Sequence, residues 1–280
     1  MSGTVFVAVL FAALLHASWN AYLKGGDDKT VGVLAMALGH LPFAALALLF
    51  VPWPALESVP WMLSSGLIHT GYCLFLAGAY RHGDLSHVYP IARGVAPLIV
   101  TGVSVGFLGT VLGGVHLLGI AAIALGLISL ALVQRRDAAT GTATRLALAT
   151  GAFIAAYSLN DGIGARLSGG SPVGFYALAS VVNVLTLLPV LMRREPGVLG
   201  RTLARPARVL LAGGGSFVAY AIVVWAFTQA PIPLVTALRE TSIVFAVAIG
   251  VLAMHEKLSL AKLAATFVTL AGAAAIRLAR

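Results

Sequence analysis

The sequence predicts an all-α integral membrane protein with ten transmembrane helices, arranged as two inverted five-helix repeats around a central cavity. Three observations carry this prediction: the composition, a series of ten apolar runs and an internal repeat. Of the 280 residues, 60% are hydrophobic and 10% charged, and the mean hydropathy is +0.98. An average soluble domain carries about 25% charged residues. Lipid is therefore predicted to be the main solvent of this chain.

The apolar runs are long enough to cross a bilayer, which takes about 20 residues in a helix. Because lipid offers no partners for backbone N–H and C=O groups, these runs are predicted to be helices. The first ten residues lack a basic n-region, so the first run is predicted as a span and not as a cleaved signal peptide. The predicted spans are 4–23, 31–51, 61–80, 86–107, 114–133, 146–166, 172–192, 208–228, 234–254 and 259–277.

The basic residues predict the orientation of these spans. The net charge is +9, but the Lys and Arg residues lie between apolar runs and form no stripe with interleaved aromatics, which argues against nucleic-acid binding. Thirteen of the 18 Lys and Arg residues lie in connections after odd-numbered spans. Short basic loops stay cytoplasmic. Both termini are therefore predicted outside, in the plasma (inner) membrane of a prokaryote.

The chain repeats itself. An offset of 146 residues aligns Arg93 with Arg239 and Gly126 with Gly272, and an offset of 140 aligns Ser18-Trp19-Asn20 with Ser158-Leu159-Asn160. These matches predict one five-helix repeat over residues 1–136 and a second over 145–280. Because five is odd, the second copy is inverted, an arrangement that places substrate sites near the membrane midplane between the repeats. With both repeats on one chain, a monomer is predicted.

Arg93 and Arg239 are the leading candidates for substrate contact. They occupy equivalent positions in the fourth and ninth spans, so the pseudo-twofold axis brings them towards one central space. Arg grips carboxylate, phosphate or phosphonate groups bidentately. Ionisable groups inside spans are costly to bury and usually face a cavity or a partner. Two other interpretations stay open: an ion pair with Glu240 that locks helices together, and snorkelling to the interface.

Glu240 has two possible roles. As a carboxyl group inside an apolar span, it could take up and release a proton and so couple proton entry to transport. As a fixed partner of either arginine, it would stay ionised.

Polar clusters in spans one and six are further candidates for the cavity lining. His16, Trp19 and Asn20 crowd into little more than one turn of the first span, and the sixth mirrors them with Tyr157, Ser158, Asn160 and Asp161. Helix-to-helix hydrogen bonding explains such clusters equally well. Among the aromatics, Tyr89 and Tyr220 are predicted to stack on a substrate. His40, His69 and His116 are interpreted as satisfied core or interface residues.

Motifs for nucleotide or metal chemistry are missing from the sequence. No Walker loop, Rossmann fingerprint or HExxH is present, and Cys73 is the only cysteine, so no cofactor or metal is predicted. A remote alternative is an intramembrane enzyme that uses His82, Asp84 and His87 as acid and base groups. No nucleophile or metal ligand accompanies these residues, so the chain is not predicted to be an enzyme.

Several segments resemble EamA-type transporters of the drug/metabolite transporter superfamily. They are His16-Ala-Ser-Trp-Asn20, Gly83-Asp-Leu-Ser86 to Pro90 with Pro97 in the fourth span, and His255-Glu-Lys-Leu-Ser259 leading to Gly272. The resemblance implies a ten-helix basket with a central cavity and secondary transport of small metabolites. Relatives that move phosphorylated sugars place basic side chains in helices 4 and 9, where Arg93 and Arg239 stand here.

The sequence thus predicts a transporter of a small anionic or zwitterionic metabolite, such as an amino acid, a phosphonate or a phosphorylated compound, working by alternating access. Its predicted partners are the lipid bilayer, the substrate and a coupling proton. The alternative function is export of drugs or other hydrophobic compounds, with the intramembrane arginines purely structural.

Overall fold

The computed structural model describes residues 1–24, 28–83, 85–133, 141–252, 255 and 259–279. These residues form ten apolar helical spans long enough to cross a membrane, which confirms the predicted fold class. The first five spans are α1 (Gly3–Lys24), α2 (Lys29–Phe50), α3 (Val59–His82), α4 (Leu85–Gly106) and α5 (Gly114–Val133). The others contain α6 (Gly141–Arg166), α7 (Pro172–Arg194), α8 (Val198–Leu203), α9 (Pro206–Gln229), α10 (Ile232–Arg239), α11 (Ser242–Leu252) and α12 (Leu260–Leu278).

Three features of the helices differ from the predicted spans. The ninth span is not one helix, because it is interrupted between Arg239 and Ser242. The sixth begins at Gly141, five residues before the apolar run, since polar residues at the membrane edge continue a helix that water can solvate. The connection between α7 and α9 contains the six-residue helix α8. Each difference occurs where polar residues are present, and a hydropathy pattern does not show whether polar residues are helical.

Helix packing follows the pattern that two five-span repeats would produce. α3 packs on α6 while α1 packs on α9, and α3 packs on α7 while α2 packs on α9. The helix α9 is the eighth span. If each span number is advanced by five, counting on from ten to one, the contact between spans three and six becomes that between eight and one, and the contact between three and seven becomes that between eight and two. α5 packs on α12, the fifth span on the tenth. These helix pairs are therefore related by an advance of five spans; the division into two repeats stays a prediction.

Glycines on α5 and α12 show the same relation at single residues. A Cβ added to Gly119 would meet the Gly272 carbonyl oxygen at 2.8 Å, and one added to Gly126 would meet the Ala265 carbonyl oxygen at 3.3 Å. The offset of 146 converts the first pair into the second. Small residues let the two backbones approach closely.

Gly39 on α2 and Gly213 on α9 make a closer crossing. A Cβ added to Gly39 would lie 2.8 Å from the Gly213 Cα. Replacement of Gly213 by Ala is therefore expected to lower the free energy of unfolding by about 1–3 kcal/mol, the usual cost of overpacking. Gly102→Ala in α4 is the control, because a Cβ there meets nothing within 4 Å. Thermal unfolding of the two purified variants tests this, and equal midpoints would contradict the crossing.

Connections after odd-numbered spans meet at one face of the bundle. Glu195, after α7, contacts Arg81 at 2.5 Å and Arg201 at 3.2 Å, and Arg201 reaches Asp28 at 3.3 Å. The Thr30 hydroxyl donates to Glu195 at 2.8 Å. The network links the connections after the first, third and seventh spans, as the basic-residue pattern requires. The prediction that this face is cytoplasmic stays a prediction.

Candidate substrate site

Two arginines and one glutamate meet in the interior of the bundle. Arg93 on α4 is 5% exposed, Arg239 at the end of α10 is 3% exposed and Glu240 is 1% exposed. The Arg93 Nε atom lies 2.5 Å from Glu240 Oε2, and Arg239 Nε lies 3.7 Å from Glu240 Oε1. The two aligned arginines therefore share a single carboxylate.

The break in the ninth span places this carboxylate. Across the break, the backbone N–H groups of Glu240 and Thr241 donate to the carbonyl oxygens of Ala237 and Leu238, both at 3.0 Å. These bonds reach back three residues, whereas α-helical bonds reach back four. The Thr241 hydroxyl also donates to the Leu238 carbonyl, at 2.7 Å, and so competes with the helical pattern. Discontinuous helices of this kind form substrate and ion sites in transporters.

Aromatic rings surround the arginines. The guanidinium carbon of Arg93 lies 5.7 Å from the centre of the Tyr89 ring. That of Arg239 lies 5.5 Å from the Tyr157 ring and 5.6 Å from the Tyr220 ring. Cations over aromatic faces at these distances are stabilised, more so when they are away from water. The rings thus hold both guanidinium groups without neutralising them.

Hydrogen bonds orient the outer nitrogens of both arginines. Arg93 Nη2 donates to the Ser242 hydroxyl at 3.4 Å, and Arg239 Nη2 donates to the Tyr157 hydroxyl at 3.4 Å. Both bonds are long, and an Arg side chain offers five donors. Donors therefore remain for an anion that approaches between the two side chains.

A second buried acidic group lies beyond Tyr220. Asp161 on α6 is fully buried, and its Oδ2 accepts from the Tyr220 hydroxyl at 2.8 Å. The Asn160 amide donates to Asp161 Oδ1 at 3.2 Å. His69 on α3 places its Nε2 atom 3.9 Å from Asp161 Oδ2 and stacks on Tyr157 with ring centres 4.3 Å apart. Tyr157 and Tyr220 thus separate the arginines from an Asp–His pair.

The three polar residues predicted as cavity lining on α1 have different neighbours in the structure. His16 and Trp19 are partly buried with rings 5.2 Å apart, and His16 lies within electrostatic range of both Arg93 and Arg239. Trp19 packs on α9 at Gly215, and its buried indole N–H has no hydrogen-bond partner among the described residues. The Asn20 amide donates to the His16 carbonyl at 2.7 Å. Of these three side chains, His16 is thus the one close enough to the arginines to interact with their charge.

Asn160 joins α6 to α3. Its side chain accepts from the Ser64 hydroxyl at 2.6 Å and donates to the Trp61 carbonyl at 2.8 Å, in addition to its bond to Asp161. These bonds are the helix-to-helix kind that the sequence leaves open as an alternative to substrate contact.

Tyr157 and Asp161 belong to the polar cluster that the sequence predicts in the sixth span, whereas His69 is absent from the predicted cavity lining. The signal for Asp161 was available, because the argument applied to Glu240 holds for any acidic residue within a span. For His69 the sequence holds no such signal, since its neighbours Asp161 and Tyr157 lie about ninety positions further along the chain.

Other chemistry has little basis in the described residues. No group of three or more His, Cys, Asp or Glu side chains there is placed to hold a metal ion. Of the proposed acid and base groups, His82 is exposed and His87 is buried with Nε2 3.0 Å from the Thr144 hydroxyl. Asp84 lies outside the described residues, as does Glu256 of the resemblance motif.

Comparisons with known proteins agree with this architecture. The profile of the EamA-like transporter family matches residues 143–278, which comprise nearly all of the last five spans. A solved structure described as "Crystal structure of protein" is similar with a TM-score of 0.71 and 18% identity, over 98% of this chain and 96% of that one. At this identity the likeness shows the fold alone. No curated protein sequence matches the chain. The second five-span half, residues 143–278, thus belongs to the EamA-like transporter family, and the ten apolar spans of the described residues fit a multi-pass membrane protein of that kind.

Proposed function

We propose that this protein is a secondary transporter of a small anionic or zwitterionic metabolite, bound between Arg93 and Arg239. One observation carries the proposal: two buried arginines, aligned by the internal repeat, share one carboxylate at the break in the ninth span. An ion pair that only holds two helices together needs one cation for one carboxylate. The second guanidinium is therefore left for an anionic group of the substrate.

Glu240 serves in this proposal as a fixed counter-ion. Its two oxygens face one arginine each, at 2.5 Å and 3.7 Å, so its charge lowers the cost of burying the arginines when no substrate is bound. The looser contact belongs to Arg239. An incoming carboxylate, phosphonate or phosphate gains most by engaging Arg239, whose guanidinium it can grip bidentately.

The surrounding residues suit a small substrate. Tyr89 and Tyr220 offer ring faces beside the arginines, and His16 lies within electrostatic range of both. We assign Trp19, Asn20 and Asn160 to the walls of the predicted cavity. The two halves then rock around this site and expose it to each side of a prokaryotic plasma membrane in turn.

Thermal unfolding of the detergent-purified protein tests the proposal. A ligand that binds the native state raises its apparent stability, so anions that fit the arginines are expected to raise the midpoint by several degrees. The panel comprises glutamate, methylphosphonate, glycerol 3-phosphate and methanesulfonate, with tetraphenylphosphonium as a hydrophobic cation and choline as a small one. Stabilisation by tetraphenylphosphonium alone would overturn the proposal in favour of the drug exporter.

A further inference from the structure

We propose that His69 and Asp161 form a proton-loading site, and that this site takes up one proton together with the substrate anion. The inference builds on the proposed function and adds the coupling ion and the residues that carry it. It rests on the geometry of the pair, on the charges buried around it and on its contacts with the arginine site.

The geometry of His69 leaves room for one proton between the two side chains. His69 Nδ1 lies 3.0 Å from the Ser65 carbonyl oxygen. Nδ1 also lies 3.3 Å from the Ser65 hydroxyl. Because the shorter contact is to the carbonyl oxygen, which only accepts, we assign the hydrogen to Nδ1. In the neutral ring, Nε2 then presents a lone pair towards Asp161 Oδ2 at 3.9 Å. A proton on Nε2 converts this unfavourable arrangement into an ion pair.

Among the residues that the structure describes, no arginine or lysine makes an ion pair with Asp161. Its described polar neighbours are the Tyr220 hydroxyl, the Asn160 amide and His69. Glu240, in contrast, lies between two permanently charged guanidinium groups. Of the two buried carboxylates, Asp161 is therefore the one whose possible cationic partner among the described residues is a histidine, a side chain that can be neutral or protonated.

The buried charges are balanced in the empty site, and they stay balanced on anion binding only when a proton enters with the anion. Among the described residues, the buried Arg, Lys, Asp and Glu side chains are Arg93, Arg239, Asp161 and Glu240. Their formal charges sum to zero, so an anion alone would leave the interior negative. Protonation of His69 adds one positive charge, which a monovalent anion cancels. Net charge in a low-dielectric interior is costly, so each event favours the other.

Two tyrosines connect the proton site to the arginines. Tyr157 stacks on His69 with ring centres 4.3 Å apart and accepts from Arg239 at 3.4 Å. Tyr220 donates to Asp161 at 2.8 Å, while its ring lies 5.6 Å from the Arg239 guanidinium. Movement of Arg239 towards an anion therefore displaces the partners of both members of the pair.

The pair is also open to proton exchange. The His69 side chain is 19% exposed, whereas that of Asp161 is fully buried. The proton therefore reaches the pair through His69, which is the more exposed partner. The other titratable or charged groups that face the pair are His40 on α2, Tyr72 on α3, Arg93 on α4, Tyr157 on α6, Tyr176 on α7, Tyr220 on α9, Arg239 on α10 and Glu240 after it.

The first experiment needs no substrate. In protein labelled with nitrogen-15 histidine, the signal that disappears in His69→Phe is assigned to His69, because Phe keeps the ring stack and removes both nitrogens. We expect this signal to change from the neutral to the protonated form in the wild type as the pH is lowered. Asp161→Asn keeps an acceptor for Tyr220 but removes the charge that would pair with a protonated His69, and is expected to leave the ring neutral where the wild-type ring is protonated. A His69 ring that stays neutral throughout would overturn the inference.

The second experiment measures coupling. Glutamate and methanesulfonate each keep a net charge of minus one between about pH 5.5 and 8, so pH acts only on the protein. If one proton enters with the anion, Kd falls by up to about tenfold for each unit by which the pH is lowered, and it levels off once the unliganded protein already carries the proton, as linkage requires. His69→Phe is expected to bind with less than about twofold change over this range. His40→Phe is the control and is expected to keep the wild-type slope.

The outcomes separate the two proposals. Anion binding that is equal at all pH values in the wild type overturns the proton site and leaves the proposed function standing. No binding of any anion at any pH overturns the proposed function, while the histidine titration still decides the proton site by itself. Binding that stays pH-dependent in His69→Phe assigns the proton to another group and overturns the inference.

Discussion

Replacement of Glu240 by Gln is expected to lower the free energy of unfolding by about 3–5 kcal/mol, the usual cost of removing one partner from a buried ion pair. The substitution keeps the side-chain volume, so it leaves no cavity. It removes the one carboxylate that contacts both Arg93 and Arg239, which are 5% and 3% exposed. Two guanidinium groups would then lie in the interior without a described counter-ion. Thermal unfolding of the purified variant measures the loss.

Glu195→Gln is the matched control. Glu195 also contacts two arginines, Arg81 and Arg201, but it lies at the membrane face and its side chain is 24% exposed. Ion pairs in contact with water contribute about 0–1 kcal/mol, so this variant is expected to unfold close to the wild type. Equal losses in the two variants would show that burial of the Glu240 cluster does not determine its energy.

Arg239→Gln is expected to weaken anion binding by about 10- to 100-fold, which corresponds to the loss of one charge-assisted hydrogen-bonded contact. The same substitution leaves Arg93 and Glu240 as a one-to-one pair at 2.5 Å. The fold is therefore expected to keep its thermal midpoint within a few degrees. An arginine that acted only as a helix lock would give the opposite result, a lower midpoint with unchanged binding. Stabilisation by glutamate and uptake into proteoliposomes measure the two effects.

Arg166→Gln is the control for this variant. Arg166 lies at the end of α6 and donates to the carbonyl oxygens of Phe227 and Ala230 at 2.9 and 3.0 Å. Its role is to satisfy backbone groups at the end of α9. We expect this variant to lose some stability and to keep its anion affinity. Weakened binding in both variants would mean that binding responds to any loss of an arginine in the spans.

The membrane-spanning helices could be predicted because hydropathy is a direct consequence of the solvent. Lipid requires about 20 consecutive apolar residues and full backbone hydrogen bonding, and both requirements are visible in the chain. The arginine pair was also accessible, since a charged residue inside an apolar run is rare and the same offset relates Arg93 to Arg239. Polar residues are less informative about helix ends, which explains the early start of α6.

The break in the ninth span could not be read from hydropathy. Residues 234–254 contain no proline, and the apolar run continues on both sides of Glu240. What interrupts the helix is a local change of hydrogen bonding, in which the Thr241 hydroxyl and the backbone N–H both donate to Leu238. Such competition depends on side-chain conformation and not on composition.

By itself, the sequence determined the solvent of this protein, its ten spans and the two arginines of its interior, because each follows from the cost of placing polar groups in lipid. Only the tertiary structure decided that one carboxylate serves both arginines, and that His69 faces Asp161 across Tyr157 and Tyr220. A helix that is apolar on all sides has no polar stripe to indicate which side faces its neighbours. Its rotation is set by packing, and packing determined which polar side chains meet.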